Sequence, residues 1–526
     1  MPRVLIADQL SEAALKIFQD RGVEAEVAVG LKPDALKAKL QGVDGIAVRS
    51  ATKVTADVLA AAPHLKVIGR AGIGVDNIDV PAATARGVVV MNTPHGNAIT
   101  TAEHAIALLF ALAREIPAAD RSTRSSKWEK NRFMGVELTG KTLGVVGCGN
   151  IGSIVAERAV GLKMKVVAYD PYLSDERAAA LGVRKVELEP LLRESDFITL
   201  HVPMTEQTKG LLDAKALAKT KKGVRIVNCA RGGLVVEADL KAAIESGHVA
   251  GAALDVFAVE PAKDNPLFGL EQVVCTPHLG ASTNEAQEKV ALQVAEQMSD
   301  YLLTGAVTNA LNMPSLTAEE ARRLGPYMKL AELLGSFAGQ LTEGSVTRLK
   351  LEYEGEAADL NTKPLTQVAL MGFLKPMLAE GVNMVNAPLV ARERNIDVTE
   401  TKHSRDGDYA TLLRFTVEAA GRERAVAGTL FGGRKPRLVE VKGIAVEAEL
   451  SPHMLYVTNL DKPGFIGSVG RIFGDAGINI ATFHLGRADA GGEAIALLGL
   501  DDAVSPHLLN KVRALPNIRQ ATPLKF

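Results

Sequence analysis

Short β-branched runs alternating with helix-spaced segments constrain this chain more than any single residue does. "VLIA" (Val4–Ala7), "EVAV" (Glu26–Val29), "GIAV" (Gly45–Val48), "LKVIG" (Leu65–Gly69) and "VVVM" (Val88–Met91) read as buried strands. Between them, "SEAALKIFQDRG" and "KPDALKAKLQG" carry apolar residues at helical spacing and end on glycine. That order predicts a doubly wound parallel sheet. A second series, "TLGVVG", "KVVAYD", "FITLHV", "VRIVNC", "GAALDV" and "QVVCTP", begins at Thr142 and predicts another.

Near Met313 the pattern changes. "NMPSLTAEEARRLGP" reads as a linker and helix start, and "SVTRLKLEYEG", "ATLLRFTVEAAG" and "ERAVAGTLFG" read as antiparallel strands. From Met454 to Phe526 the order is strand, helix, strand, strand, helix, strand, with turn signals at "DKPG" and "DAGG". This is the βαββαβ order of a ferredoxin-like unit. A chain of 526 residues also exceeds one ordinary core. The expected fold class is α/β: two doubly wound Rossmann-like domains, an α+β intervening domain and a ferredoxin-like domain.

The formal net charge of -1 gives no general attraction to nucleic acid or membrane, so an anionic ligand needs a local cluster of cations. Cys148, Cys229 and Cys275 lie far apart without a CxxC, which argues against a metal site or disulfide framework and fits a reducing cytoplasm. Asp8 interrupts the first apolar run, so no signal peptide is expected. "AEHAIALLFALAREI" is too short and too charged to span a bilayer and reads as a buried helix between domains.

Open parallel sheets bind ligands beyond the carboxyl ends of their strands. The residues found there are Arg49, Ser50, Arg70 and Asn92 in the first series. In the second they are the Gly147 loop, Asp170, His201, Asn228, Arg231, Asp255, Glu260 and His278. Gly147, Gly149 and Gly152 form G-x-G-x-x-G between a strand and a helix. The first glycine permits the turn, the second lets a pyrophosphate reach the backbone, and the third lets the helix pack closely. Asp170 ends the next strand eighteen residues after Gly152. An acid there accepts the ribose hydroxyls of NAD and repels the extra phosphate of NADP.

Arg231 in "NCARGG", Glu260 in "DVFAVEP" and His278 in "CTPHLGAS" each have an ordinary explanation alone: a surface arginine, a solvated glutamate, a satisfied histidine. In combination they supply a hydride-transfer site. The guanidinium clamps a carboxylate, the imidazole exchanges an alcohol proton, and the acid orients the imidazole.

In order and spacing, "GVVGCGNIG", "YDP", "NCARGG", "DVFAVEP" and "TPHLGAST" resemble the D-isomer-specific 2-hydroxyacid dehydrogenases, over roughly Val4 to Asn312. "VRSATKVT" and "GRAGIGVDNID" narrow the resemblance to the branch acting on 3-phosphoglycerate, and "LDKPGFIGSVGRIFGDAGINI" resembles an ACT regulatory domain. The resemblance implies a cleft between a discontinuous substrate domain (1–98 and 283–314) and an NAD domain (99–282), followed by an intervening domain (315–450) and the ACT domain (454–526). It implies nucleotide contacts from Gly147, Gly149, Asn150, Ile151, Gly152, Asp170, Cys229, Ala230, Arg231, Asp255, His278, Gly280 and Ala281, with Asp255 facing the nicotinamide. Arg49, Ser50, Lys53, Arg70, Arg231 and His278 are the implied substrate contacts. Lys130 or Arg132 of "KWEKNRF" is implied to reach a neighbouring subunit of a homo-oligomer. The implied effector is L-serine, on Asn459, Asp461 and Asn479. Two alternatives stay open: another 2-hydroxyacid dehydrogenase, such as a glyoxylate or hydroxypyruvate reductase, and a nucleotide-sensing corepressor of dehydrogenase fold.

Overall fold

Four sheets order the chain in a computed structural model that describes residues 1–378, 381–404 and 408–526. The first sheet is parallel and comprises β1 (Arg3–Ile6), β2 (Glu24–Val27), β3 (Gly45–Val48), β4 (Val67–Arg70) and β5 (Val89–Met91), ordered β2-β1-β3-β4-β5. β2 begins two residues before the "EVAV" run, because Glu24 pairs with Arg3. It is an edge strand whose last residue, Val27, is 51% exposed, as is Val29 just beyond it at 52%. With so little of it buried, backbone pairing and not the apolar pattern sets its register. The helix Asn284–Thr304 returns to this sheet. Its Val290, Val294 and Met298 share a core with Val4, Ile6 and Val67, and a Cβ on Gly69 would overlap the Met298 sulfur.

The second sheet, also parallel, contains β6 (Thr142–Val146), β7 (Lys165–Tyr169), β8 (Arg184–Lys185), β9 (Phe197–Leu200), β10 (Val224–Asn228), β11 (Val249–Leu254) and β12 (Val273–Cys275). Their order is β12-β11-β10-β9-β6-β7-β8. Connections run one way from β6 to β8 and the other way from β9 to β12, so a crevice opens where β6 and β9 lie side by side.

The helix Ala98–Ala113 differs from its reading as a buried helix between domains. Ala102, Ala105 and Leu109 share a core with Leu143 and Val145 of the second sheet, while Ile99 and Phe110 are exposed. Its first turn meets the returning chain, where the Thr100 and Thr283 hydroxyls are 3.5 Å apart. Its many alanines blur the apolar stripe that would have marked the buried face.

The third sheet contains β13 (Val346–Gly355), β14 (Asp397–His403), β15 (Thr411–Ala419), β16 (Arg422–Phe431), β17 (Lys435–Val441) and β18 (Ile444–Ala448), ordered β14-β13-β15-β16-β17-β18. The antiparallel reading holds for β13 and β15 to β18, but β13 and β14 are parallel. Two helices, Lys363–Leu378 and Ala387–Glu393, fill the connection between them, and a helical crossover returns a strand in the same direction.

The fourth sheet has the ferredoxin-like order β20-β21-β19-β22, from β19 (His453–Leu460), β20 (Ile480–Arg487), β21 (Glu493–Leu500) and β22 (Ile518–Lys525). Phe337 ties it to the third sheet's helices, edge-on to Tyr456 at 5.9 Å and stacked on Phe526 at 6.5 Å. Phe337 lies on the helix Ala318–Leu341, which crosses Lys363–Leu378 through glycines. A Cβ on Gly335 would overlap the Ala369 carbonyl oxygen, and one on Gly339 the Phe373 carbonyl oxygen.

Gly335→Ala is therefore expected to destabilise the chain by about 1–3 kcal/mol, because backbone cannot yield to the new methyl. Gly470→Ala is the matched control, in a helix where open space surrounds the glycine. It should be neutral or stabilising by up to about 1 kcal/mol. Urea unfolding midpoints of the two variants provide the check.

Candidate active site

β6 is followed directly by Gly147, whose φ of +88° suits glycine alone among common residues. Gly149 faces open space, with nothing within 4 Å of where a Cβ would stand. Gly152 packs beneath the turn, where a Cβ would overlap the Gly147 carbonyl oxygen. The helix Asn150–Gly161 begins there without a side-chain cap, so the amides of its first turn, Ile151 and Gly152 among them, have no competing side-chain acceptor. They also form the positive end of the helix dipole. Asp170 follows β7 and is fixed at the loop, its Oδ2 accepting the Cys148 amide and its Oδ1 the Tyr172 amide, each at 2.8 Å. Free backbone donors, room at Gly149 and a fixed carboxylate fit the pyrophosphate and adenosine ribose of NAD.

β11 and β12 end at the same sheet edge, which brings the residues after them together. His278 Nδ1 lies 2.7 Å from Glu260 Oε2, and Glu260 Oε1 accepts the Phe257 amide at 3.0 Å. A carboxylate can only accept, so the shared hydrogen sits on Nδ1 and Nε2 is left as the basic nitrogen. The His278 side chain is 50% exposed. Its φ is +56°, a left-handed conformation uncommon for a side chain of this size.

Asp255 differs from its expectation. Its side chain is 0% exposed and does not open onto the cleft. Oδ1 accepts from Thr276 Oγ1 at 2.6 Å, the Leu279 amide at 2.7 Å and His104 Nε2 at 3.2 Å, and Oδ2 accepts the Gly280 amide at 2.8 Å. Burial pushes its carboxyl upward, but the hydrogen bonds from His104, Thr276 and Leu279 outweigh it and hold the group below the usual carboxylate range. Cys229 is buried beside the strand end, and Ala230 donates its amide to Asn228 Oδ1 at 3.0 Å. Burial pushes the Cys229 thiol up, and that of Cys275 to about 11, so neither is a thiolate nucleophile at neutral pH. Ala281 follows Gly280 on the His278 loop, half-buried.

Cations gather from both sheets. Arg231 Nε lies 2.7 Å from Asp76 Oδ2 and its Nη1 donates to the Ala230 carbonyl at 2.7 Å. Gly74 makes room for that guanidinium, since a Cβ there would overlap it. Arg70 Nη1 donates to the Ala71 carbonyl at 2.6 Å, and its Nε is buried without a partner among the described residues. Burial first, then the like charges of Arg231 and Arg49, push Arg70 down to about 10, so it stays charged near neutrality. Among the described residues the Arg49 guanidinium reaches only the Gln9 carbonyl at 3.4 Å and Gln287 Oε1 at 3.5 Å. Its loop is clamped by Asp8, which accepts the Arg49 and Thr52 amides at 2.6 and 3.2 Å, and by Asn77, which donates to the Arg49 and Thr52 carbonyls at 2.7 and 2.6 Å. Ser50 and Lys53 stand exposed on the same loop. The group has the chemistry of an anion site.

Sequence reasoning missed Asp76, Asp8, Asn77, His104 and Thr276. Asp8 lies just past β1 and Thr276 just past β12, where a search of strand ends finds them; Asp76 and Asn77 sit within a loop and His104 on a helix, and these become visible only through their partners. Arg132 is committed within its own chain, at 2.7 and 2.9 Å from Glu271 and 3.0 Å from Glu129, while Lys130 is exposed. In the fourth sheet, Asn459 and Asp461 line a cavity of about 330 Å³ with Gly464 and Arg487. Asp461 accepts from Arg487 at 3.0 Å and from the Gly491 amide at 3.1 Å. Asn479 does not join them. It precedes β20, whose Ile480 pairs with Leu500, whereas Leu460 pairs with Glu493 at the other end of β21. Within one chain the three expected effector residues therefore lie at opposite ends of the sheet, and Asn479 bonds Asp501 at 2.9 Å.

Three stretches of the chain match known families. Residues 106–280 match the NAD binding domain of the D-isomer specific 2-hydroxyacid dehydrogenases, residues 323–442 the D-3-phosphoglycerate dehydrogenase intervening domain, and residues 453–517 the ACT domain. The chain is 44% identical over 527 residues to D-3-phosphoglycerate dehydrogenase of Methanocaldococcus jannaschii, covering 100% of both. It is 43% identical over 520 residues to that of Bacillus subtilis, covering 98% of both. Among solved structures, the TT0316 protein from Thermus thermophilus is 35% identical with a TM-score of 0.55, over 59% of this chain and 99% of that one. The chain belongs to the D-3-phosphoglycerate dehydrogenase family of the D-isomer-specific 2-hydroxyacid dehydrogenases.

Proposed function

We propose that the chain oxidises 3-phospho-D-glycerate to 3-phosphohydroxypyruvate with NAD, the first step of the phosphorylated route to L-serine. The observation that carries this reading is the meeting of Arg49, Arg70 and Arg231 in one electrostatic cluster, on a fold whose full-length relatives are named for this activity. Bound NAD supplies the hydride acceptor. His278 accepts the C2 hydroxyl proton at Nε2, and Glu260 holds the ring by Nδ1. Arg231, oriented by Asp76, binds the substrate carboxylate and polarises the C2 oxygen. Arg49 and Arg70, with Ser50 and Lys53, take the phosphate. The Asp170 carboxylate repels a 2′-phosphate, so NAD is preferred to NADP.

In this reading 1–98 with 283–314 and 99–282 are the two walls of the cleft, and 315–450 and 454–526 are regulatory. The enzyme works in the cytoplasm as a homo-oligomer. L-serine binds where two ACT domains meet, which would bring Asn459 and Asp461 of one copy to Asn479 of another.

NADH formation is expected to be far faster with 3-phosphoglycerate than with D-glycerate. Arg49→Ala and Lys53→Ala should each raise the KM for 3-phosphoglycerate about ten- to a hundredfold, the worth of a charge-assisted contact, and leave that for NAD unchanged. Equal activity on D-glycerate would point to an unphosphorylated substrate.

His278→Ala should lower kcat by about 10²–10⁴-fold while NADH titration by fluorescence gives an unaltered Kd. Turnover within about tenfold of wild type would remove His278 from proton exchange.

Asp461→Ala and Asn479→Ala should each abolish inhibition by L-serine and leave kcat and KM in its absence intact. If the wild-type enzyme shows neither inhibition nor calorimetric heat with millimolar L-serine, the ACT domain serves assembly instead.

A further inference from the structure

We propose that His104 is a positioning residue for His278, acting through Asp255. The inference rests on the reading of His278 as the proton-exchanging group. His104 Nε2 lies 3.2 Å from both Asp255 Oδ1 and Thr276 Oγ1. The Thr276 hydroxyl is itself 2.6 Å from Asp255 Oδ1. An ionised carboxylate only accepts, so Thr276 gives its hydrogen to Asp255 and turns a lone pair toward Nε2. Both neighbours of Nε2 are then acceptors, and Nε2 must carry a hydrogen whatever the charge on the ring.

The origin of the donors matters more than their number. Thr276 and the amides of Leu279 and Gly280 belong to the loop that carries His278. The Asp255 carbonyl also accepts the His278 amide at 2.9 Å. Asp255 and residues 276–280 are thus wound into one unit with His278 in a left-handed conformation, which a side chain adopts only when its surroundings enforce it. His104 is the one side chain from outside that loop among the hydrogen-bond donors to the Asp255 carboxylate in the described residues. It comes from the helix Ala98–Ala113, whose buried face is fixed in the core of the second sheet. Thr101 on the same helix forms the wall beside the loop, its Cγ2 3.3 Å from where a Gly280 Cβ would stand. His104 therefore anchors a self-contained loop to a rigid element and helps keep the enclosed Asp255 ionised. Without it, the loop keeps its internal bonds but loses its fixed place, and the His278 ring drifts from the reacting oxygen. The glycine loop and Asp170, which hold the far end of the nucleotide, lie beyond other strands and are untouched.

The test compares full-length His104→Phe, which keeps the ring but has no donor, with His104→Gln, whose carboxamide restores one. His104→Phe is expected to lower kcat ten- to a hundredfold, with KM for 3-phosphoglycerate and Kd for NADH within about threefold of wild type. The deuterium isotope effect on kcat with C2-deuterated substrate should rise, because the chemical step becomes slower than product release. His104→Gln should recover kcat to within about fivefold of wild type. Should His104→Phe fail to fold, His104→Leu, which also lacks a donor, takes its place with the same expected split. The inference is overturned if the donor-less variant turns over like wild type, if Gln is as slow as Phe, or if the loss lies in Kd for NADH and not in kcat. Wild-type protein that forms no NADH from 3-phosphoglycerate would overturn the functional reading instead.

Discussion

Parallel pairing in the second sheet is the constraint on which the site depends. Every strand of a parallel sheet delivers its carboxyl end to one edge, so the residues that follow β6, β7, β10, β11 and β12 must meet there. The chain uses that edge in two ways. Around β6 and β7 it presents backbone amides and one fixed carboxylate, Asp170, with glycine wherever a side chain would block approach. Around β10 to β12 it presents side chains: Arg231, Glu260 and His278. The two groups stand on either side of β9, one strand apart along the same edge.

Charge is distributed with the same economy. The chain is nearly neutral, yet Arg49, Arg70 and Arg231 stand close enough to depress Arg70. Such a cluster is unfavourable in the free protein, and among the described residues Arg70 Nε lies buried without a partner. A dianionic phosphate and a carboxylate would relieve both defects together. Asp76 partly answers Arg231 in the meantime, and because it follows β4 of the first sheet the ion pair also joins the loops of the first and second sheets. Asp255 shows the opposite solution. It is a charge wholly enclosed, and four donors satisfy it. Its consequence is geometric: the loop wrapped around it fixes His278.

The C-terminal half depends on close backbone approach. Gly335 and Gly339 let two helices touch, and Phe337 between them carries the contact into the fourth sheet through Tyr456 and Phe526. The third and fourth sheets consequently share one apolar core, which contains Leu349 and Phe415 as well as Tyr456 and Leu497.

Much of this was legible in the sequence wherever the determinant is local. Strand and helix periodicity comes from side chains a few residues apart, so the alternation gave two parallel sheets and the ferredoxin-like order of the tail. The glycine loop, Asp170, Arg231, Glu260 and His278 were also readable, because each follows a recognisable strand. Tertiary structure alone decided the rest. β2 slid two residues along an exposed edge that no buried face pinned, and β14 turned parallel because two helices lead into it. Asp255 went inside, because donors from a helix 151 residues away and from its own loop converge on it. Asp76 found Arg231 across 155 residues, a pairing no local pattern contains. Asn479 went to the far end of its sheet because the direction of β20 places it there. Sequence by itself determined which elements form and which residues stand at their ends. Which of those ends meet depends on register, crossover direction and enclosure, and these are set by contacts between segments far apart in the chain.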